Sequence, residues 1–532
     1  MTRRPVGSRA SRRSRTLTLF AATVVAAAPF LWRAVDRQWF GLNVVIVTLD
    51  TTRADRLSPY GLMDVSMPAL DRLAREGVVF DQATTVAPLT LPAHTSLFTG
   101  LLPPNTRVHD NADRPLDNRF TTLAETLHAL DFRTGAFVGS VVLRPDRGLA
   151  QGFDVYSGVG SRRDRPGTVE DGARQRRGDE VMTDALRWLD DVGDARFLLW
   201  AHLYDAHRPY DPPEPYKSRY ADPYVGEIAF ADAQIGRVLD ALDARDLMNR
   251  TIVIVAGDHG ESLGDHGEQD HGVFIYESVL RVPLIIRMPS ISPKRVASVV
   301  RLTDVIPTVL DLLGAPAPTM DGMSLRDLLT GSRRDLDLEA YSESEYPRRL
   351  GWSVLRALRA GRFKLIDAPR PELYDLDRDP FEQRNVYDER RATAAAMTSR
   401  LHALARPHSA TGLESSRRPA VAPAGLAEQL AALGYVGPRT SPALPTSKDL
   451  PDPKDCIGLD GPRQAGKEST AAQTSGGADS NCAFFAGLAC LVAPMAFGSV
   501  VTSDVVRDVS KTPGECRRAV RTSVNVRTAL TY

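Results

Sequence analysis

The chain has 532 residues, of which 43% are hydrophobic and 25% charged, which is enough material for more than one core and too apolar for a wholly disordered polymer. Lys plus Arg and Asp plus Glu number 66 each, so the basic excess that nucleic acid selects is missing and no nucleic-acid partner is expected. All four cysteines (Cys456, Cys482, Cys490 and Cys516) lie beyond residue 455, which leaves the first 455 residues without a thiol nucleophile or an internal disulfide.

Met1–Arg15 carries six Arg and no acid, and Thr16–Trp32 (TLTLFAATVVAAAPFLW) is a 17-residue uncharged stretch. A basic flank followed by an apolar run is the layout of an export signal. Seventeen residues are at the lower limit for spanning a bilayer, so residues 1–35 read as a cleaved leader or a retained membrane anchor. Ser11-Arg12-Arg13 resembles part of a twin-Arg signal, although Arg15 stands where an apolar residue is expected. In either case the positive flank stays cytoplasmic and the remainder is expected to be exported, to the periplasm or another extracytoplasmic space.

Asn43–Leu49 (NVVIVTL) predicts a buried strand that ends on Asp50. Pro68 opens a helix with Leu70, Leu73 and Ala74 on one face, and Gly77 closes it. Thr122–Leu130 predicts a helix ahead of a strand over Ala136–Val142. Phe197–Leu203 (FLLWAHL) predicts a further strand that runs into Tyr204-Asp205-Ala206-His207, and Ile228, Ile235, Val238, Leu239 and Leu242 then recur at helical spacing. Ile252–Val255 is another apolar β-branched run, followed by AGDHGESLGDHGEQDH, in which three Asp and three His fall within fourteen residues. A strand over Pro283–Arg287 and a helix around Asp304–Leu313 complete an alternation of strands and helices, which implies a largely parallel sheet covered on both faces.

From about residue 336 the pattern changes. Leu355–Ile366 and Glu372–Leu376 suggest short antiparallel strands with a Gly turn, and a helix around Ala392–Ala405 follows. Ala465–Asn481 is rich in Gly, Ser and Ala, and Ala483–Val501 is an uncharged run interrupted by Pro494. The expected division is therefore a catalytic domain over 43–335, a C-terminal subdomain over 336–437, and a poorly structured tail over 438–532 in which a reading-frame change near residue 456 would account for the sudden cysteines.

In a parallel sheet reactive groups gather past the strand C-termini. Asp50, Asp205 with His207, and Asp258 with His259 all sit there, and eight of the ten histidines fall between His94 and His271. Carboxylate beside imidazole is a usual ligand set for a divalent cation. His128, His402 and His408 read as structural or surface groups, and the Arg-rich Ser161–Arg177 reads as a solvated loop.

These residues carry a family resemblance. Asn43–Gly61 (NVVIVTLDTTRADRLSPYG), Pro88–Gly100 (PLTLPAHTSLFTG), Asp205–Tyr210 (DAHRPY), Gly257–Pro283 and Glu372–Pro380 (ELYDLDRDP) appear in the order found in sulfatases, and over roughly 43–437 the chain resembles the sulfatase branch of the alkaline phosphatase superfamily. The resemblance implies an α/β fold, an alkaline-phosphatase-like sandwich with a large mostly parallel sheet flanked by helices, plus a small C-terminal α+β subdomain. It implies Asp50, Asp258 and His259 as metal ligands, Asn111 as a substrate-binding residue, and His207 and His271 as groups that contact the transferred group or protonate the leaving oxygen. His271 stands where many sulfatases have Lys.

The nucleophile departs from the sulfatase pattern. The Cys/Ser-x-Pro-x-Arg signature, whose first residue becomes formylglycine, reads Thr90-Leu91-Pro92-Ala93-His94, and threonine cannot yield that aldehyde. Phosphodiesterases and the phosphoglycerol and phosphoethanolamine transferases of the superfamily use a metal-bound Thr, which implies Thr90 as both ligand and nucleophile. His94, in the place of the signature Arg, is counted with the catalytic set. An Asp205-x-His207 pair lacks the Asp-x-x-x-His spacing of two-zinc relatives, so one divalent ion is expected: Mg, Ca or Mn, with His259 also admitting Zn. His109 and His266 read equally as supporting or exposed groups. The resulting expectation is an exported, metal-dependent hydrolase of sulfate or phosphate esters acting on a small-molecule, lipid or glycan ester. The alternatives are a membrane-associated phosphoryl-group transferase and a non-catalytic metal-binding protein.

Overall fold

The computed structural model describes residues 41–159, 175–407 and 450–457. The export segment, most of the Arg-rich loop, His408, Ala465–Asn481 and Ala483–Val501 lie outside the described residues. Among the described residues no helix is long and apolar enough to cross a membrane.

Eight strands form the main sheet: β1 (Asn43–Leu49), β2 (Val78–Thr84), β3 (Arg133–Val138), β4 (Val155–Ser157), β5 (Phe197–Leu203), β6 (Thr251–Gly257), β7 (Arg281–Arg287) and β8 (Lys294–Arg301). Their order is β4-β3-β5-β1-β6-β7-β2-β8, and β7 alone runs against its neighbours. The sheet is thus the large, mostly parallel one expected. Its central strands are covered twice. Val44 and Ile46 of β1, with Ile252 and Ile254 of β6, join one apolar cluster, while Val45, Val47, Val253 and Val255 join another on the opposite face. Double burial explains why these strands read as unbroken apolar runs without alternation.

The helices that cover the sheet follow the amphipathic pattern. Pro68–Glu76 buries Ala69, Leu70 and Leu73, and Pro223–Asp243 buries Ile228, Ile235, Val238, Leu239 and Leu242. Asp232, on the second helix, accepts the Ala69 and Leu70 N–H groups at the start of the first, where no intrahelical partner exists. The strand expected over Ala136–Val142 begins three residues earlier and stops at Val138, where Gly139 and Ser140 lead into a tight helical turn over Val141–Leu143.

A second sheet, antiparallel, contains β9 (Glu339–Ser344), β10 (Leu355–Ala360), β11 (Phe363–Asp367) and β12 (Glu372–Asp375) in the order β12-β11-β10-β9, with the helix Arg391–Leu404 packed on it. The tail expected to be unpatterned from residue 438 has a placed piece. Leu450 and Pro451 accept hydrogen bonds from Ser353, Asp452 accepts the Arg370 N–H, and Cys456 is buried against Trp352 and Tyr374. The correction has a simple cause: Pro451 and Pro453 hide any periodicity, while the contacts that hold the segment come from distant residues.

Buried ions tie the second sheet to the first. Lys364 Nζ lies 2.8 Å from Glu382 and 3.1 Å from Glu277, and Arg359 lies 2.6 Å from Glu277. Glu277 opens the short helix Glu277–Leu280 that leads into β7. Removing the Lys364 cation strands buried carboxylates, so Lys364→Met is expected to cost about 3 to 5 kcal/mol in guanidinium denaturation. Adding Glu382→Gln is expected to recover part of that loss.

Candidate active site

Three parallel strand ends build the floor of the site. β1 lies between β5 and β6, with Leu49 in register with Leu203 on one side and Gly257 on the other. The ladder continues one residue further, because the Asp50 N–H donates to the Leu203 carbonyl (3.0 Å) and the Asp258 N–H to the Leu49 carbonyl (3.1 Å). Backbone hydrogen bonds therefore set two aspartates side by side.

Thr51 then turns the chain through a left-handed φ of 48°, an outlier for a β-branched residue. It is held there by its own Oγ1, which donates to the Ala206 carbonyl (2.7 Å), and by the Tyr224 hydroxyl, which donates to the Thr51 carbonyl (2.6 Å). The turn places the Thr51 N–H against the Asp258 carboxylate. Across the cleft Gly260 is obligatory, since a Cβ there would come within 2.1 Å of the Ser278 carbonyl.

Asp50, Asp258 and His259 are wholly buried, with ligating atoms within 4.8 Å of one another. His259 Nε2 lies 3.6 Å from Asp50 Oδ1, 3.7 Å from Asp258 Oδ2 and 3.4 Å from Thr90 Oγ1. The His259 Nδ1–H donates to the Gly260 carbonyl (3.0 Å), which leaves the lone pair on Nε2, beside the carboxylates. Both Asp50 oxygens and Asp258 Oδ2 are buried without a hydrogen-bond donor among the described residues. Burial, and after it the Asp50 charge, pushes the Asp258 carboxyl well above the usual carboxylate range. Burial and the neighbouring His271 hold His259 well below the usual imidazole range, hence neutral. Two facing carboxylates and a neutral imidazole are a donor set that a divalent cation completes. The residues fit the ion that the sequence calls for.

Thr90 is the first residue of the helix Thr90–Thr99, whose N-terminal end meets this cluster. The exposed amides of a helix start are disposed of economically here: the Leu91 N–H donates to Asn111 Oδ1 (2.8 Å), and Pro92 has no N–H to satisfy. That bond fixes the Asn111 amide. Its Nδ2 is buried with no acceptor among the described residues, as a donor reserved for a substrate oxygen would be.

His94 needs correction as a catalytic group. Its Nδ1–H donates to the Thr90 carbonyl (2.8 Å) and its Nε2 accepts from the Thr48 hydroxyl (3.0 Å), which in turn accepts the Trp200 indole N–H (3.0 Å). With burial, and then His202, pushing its pKa down to about 3, His94 is a neutral strut behind Thr90. Both ring nitrogens are committed to the protein.

His207 and His271 flank the other side of the cluster. Their rings lie 5.2 Å apart, and His271 is 4.6 Å from the His259 ring. The His271 Nδ1–H donates to Glu261 Oε1 (3.0 Å), while Glu261 Oε2 accepts the Tyr210 hydroxyl (2.9 Å). A carboxylate on Nδ1 fixes the tautomer and the orientation of the ring. The His207 ring stacks on Tyr204, and its Nδ1 is bonded to the Arg208 carbonyl (2.7 Å) and the Tyr204 hydroxyl (2.8 Å).

The remaining candidates are placed elsewhere. Asp205 accepts the Gly178 N–H at the start of the helix Gly178–Val192. Asp265 pairs with Arg53, Asp270 with Arg208, and the His266 ring stacks on Tyr276. His109 is bonded to Glu343, His128 faces Asp154 and His402 faces Asp367. Three residues of the site were not anticipated. His202, inside β5, lies 3.5 Å from Asp50 Oδ2, and its signal was an imidazole in register with Thr48 in an otherwise apolar strand. Glu261 lies three residues past Asp258. Buried Arg53 donates to the Glu261 and Ser262 carbonyls as well as to Asp55 and Asp265, and so ties the loops after β1 and β6 together.

The sulfatase family matches residues 42–315, more than half of the chain. The chain belongs to the sulfatase family. A second family, N-sulphoglucosamine sulphohydrolase, C-terminal, matches residues 264–406, which include the antiparallel sheet. The chain is 26% identical over 394 residues to the ulvan-active sulfatase of Formosa agariphila, covering 65% of this chain and 76% of that protein. A protein solved with its substrate D-glucosamine-2-N,6-O-disulfate superposes with a TM-score of 0.59 at 20% identity, over 68% of this chain and 97% of that one. The phosphonate monoester hydrolase of Agrobacterium radiobacter superposes with a TM-score of 0.58 at 24% identity, over 68% and 95%. The fold is that of the alkaline-phosphatase-like sulfatases, and this member is a sulfatase-like ester hydrolase.

Cation binding to the folded state raises its stability by about 2.7 kcal/mol at a hundredfold excess over Kd. Thermal unfolding after chelation is therefore expected to shift upward on adding Ca, Mg, Mn or Zn, with Asp258→Asn abolishing the response. An equal shift in that variant would place the ion elsewhere.

Proposed function

We propose that this sulfatase-family member is an exported, cation-dependent hydrolase that uses Thr90 as its nucleophile on sulfate or phosphate esters, with phosphoesters and phosphodiesters preferred. The observation that carries the reading is the position of Thr90 Oγ1, 3.4 Å from His259 Nε2 at the head of a helix, beside two carboxylates of which three oxygens have no hydrogen-bond donor among the described residues. Export rests on the basic start and the apolar stretch Thr16–Trp32.

A divalent cation held by Asp50, Asp258, His259 and Thr90 supplies a lowered hydroxyl pKa and neutralises charge on the transferred group. His94 and the Thr48–Trp200 pair hold the Thr90 backbone, so the hydroxyl meets the substrate in one orientation. The Asn111 amide donates to a non-bridging oxygen of the ester. Thr90 Oγ, an alkoxide once its hydroxyl proton has passed to solvent, forms a bond to phosphorus as the bond to the leaving oxygen breaks, and a protonated His271, oriented by Glu261, delivers its proton to that oxygen. Water then displaces Thr90 from phosphorus and gives up a proton to the same imidazole. Threonine bears on which centre is attacked, because the aldehyde hydrate on which sulfatases rely cannot be made from it.

By the words of their names, similar proteins include an ulvan-active sulfatase, a protein whose substrate is D-glucosamine-2-N,6-O-disulfate and a phosphonate monoester hydrolase. A small-molecule, lipid or glycan ester accordingly suits this site. Para-nitrophenyl phosphodiester, monoester and sulfate are the assays that rank the substrates. Thr90→Ala is expected to lower kcat/KM on the preferred ester by roughly 10⁴-fold or more. His271→Gln is expected to cost about 10² to 10⁴-fold on an alkyl ester and less on a nitrophenyl ester, whose leaving oxygen needs no proton. Thr90→Ala with undiminished turnover refutes the nucleophile, and an equal loss on both leaving groups refutes the acid.

A further inference from the structure

Two residues before Asn111, His109 lines a polar cavity that the reaction leaves unused. It has a volume of about 360 Å³ and is lined by Arg107, His109, Asp113, Arg114, Glu343, Glu345 and Arg356, with Pro104, Ala405 and Pro407 at its edge. It lies between the segment that delivers Asn111 and strands β9 and β10 of the antiparallel sheet.

The acids of this cavity are all committed to the protein. Glu343 is buried, and its two oxygens accept from His109 Nδ1 and from the Tyr341 hydroxyl, both at 2.5 Å. Glu345 lies 3.4 Å from Arg356 and 3.5 Å from Arg348, and Asp113 accepts the His109 N–H (2.8 Å). Arg114 is half-buried and makes no ion pair among the described residues. His109 gives Nδ1 to Glu343 and is itself part of the cavity lining. Burial works against protonation of His109, but the Glu343 charge outweighs it and raises the pKa to about 9, so the ring is a cation with a second N–H to give.

The cavity is also coupled to the reaction centre by the chain itself. His109 is two residues from Asn111, a span of at most about 7 Å. Asn111 Oδ1 in turn holds the amide next to Thr90. Between them the turn is pinned by partly buried Arg349, which donates to Asp110 (2.7 Å), and by Arg147, whose guanidinium donates to the Asn111 carbonyl (3.1 Å). A ligand in the cavity and an ester on Thr90 thus share one rigid frame.

We propose that this cavity is an anion subsite, in which His109 and Arg114 bind a second acidic group, a sulfate, phosphate or carboxylate, carried by the same substrate whose ester lies at Thr90. The reading rests on the assignment of Thr90 and Asn111 to the ester. It narrows the substrate class to molecules with at least two acidic groups. Arg107 and Arg356 complete the cationic wall, and Glu343 acts through His109 as a positioning residue.

The test reads the cavity without turnover. Inorganic sulfate is titrated into the full chain labelled with ¹⁵N-histidine, and the His109 resonance is followed in the wild type, Thr90→Ala, Arg114→Ala and His109→Gln proteins. His109 is expected to shift saturably in the wild type and equally in Thr90→Ala. Loss of a charge-assisted hydrogen bond in Arg114→Ala is expected to weaken the apparent Kd by roughly tenfold or more. His109→Gln keeps a partner for Glu343 and is expected to remove the added affinity for a doubly anionic inhibitor. A His109 resonance unmoved by sulfate, or an Arg114→Ala protein with wild-type affinity, overturns the proposal. So does saturation by Ca or Zn that Glu345→Gln abolishes, which would assign His109, Glu343 and Glu345 to a cation. Because sulfate binding is read in Thr90→Ala as well, a failed nucleophile and a failed subsite give different results.

Discussion

Everything in the active site depends on two carboxylates that the sheet forces together. Asp50 and Asp258 follow adjacent parallel strands whose register is set over seven residues, and each is held by a backbone hydrogen bond to its neighbour's last turn of ladder. Neither charge can be relaxed by moving a side chain, because both residues are fully buried and the backbone on either side is fixed by the core. Buried like charges without donors are strongly unfavourable unless a cation or a proton intervenes. The fold therefore stores an electrostatic demand at the strand ends, and the neutral His259 imidazole and the Thr90 hydroxyl stand where that demand is met.

The surrounding structure serves the same pair. The left-handed turn at Thr51, the Tyr224 hydroxyl and the Arg53 guanidinium keep the loops after β1 and β6 at a set spacing. His94 does for Thr90 what the helix alone does not, since it anchors the first carbonyl of the helix to β1 through Thr48. The neutral His94 imidazole thus occupies space beside the Asp258 carboxylate. Among the described residues no Lys or Arg hydrogen-bonds Thr90, so in the proposed mechanism the cation, the helix start and the Asn111 amide would meet an anionic ester and a substrate's further charge would be handled in a separate place.

Much of this was legible before any coordinates. The apolar runs of β1, β5 and β6 gave away double burial, and Asp50, Asp258 and His259 stood out because acids at the ends of such runs have few structural duties. Thr90 and Asn111 were legible by resemblance alone, since nothing in the local pattern separates a reactive threonine from an ordinary helix start. The roles of His94 and His202 were hidden because each depends on partners 46 and 152 residues away or on strand register. Glu261 and Arg53 were missed for the same reason: a charged residue in a polar loop looks solvated until the opposite loop is known. The segment Leu450–Ile457 escaped because two prolines mask the contacts that hold it.

The central claim is covalent: Thr90 itself carries the transferred group between the two halves of the reaction. The direct measurement is acid quench of the cation-loaded enzyme during turnover of para-nitrophenyl phosphate, followed by proteolysis and mass spectrometry of the peptide that contains Thr90. The account predicts one phosphoryl group on Thr90, forming within the first turnover and disappearing when substrate is exhausted. A phosphoryl group on His207, His271 or any other residue, or an unmodified Thr90 during full turnover, would contradict it.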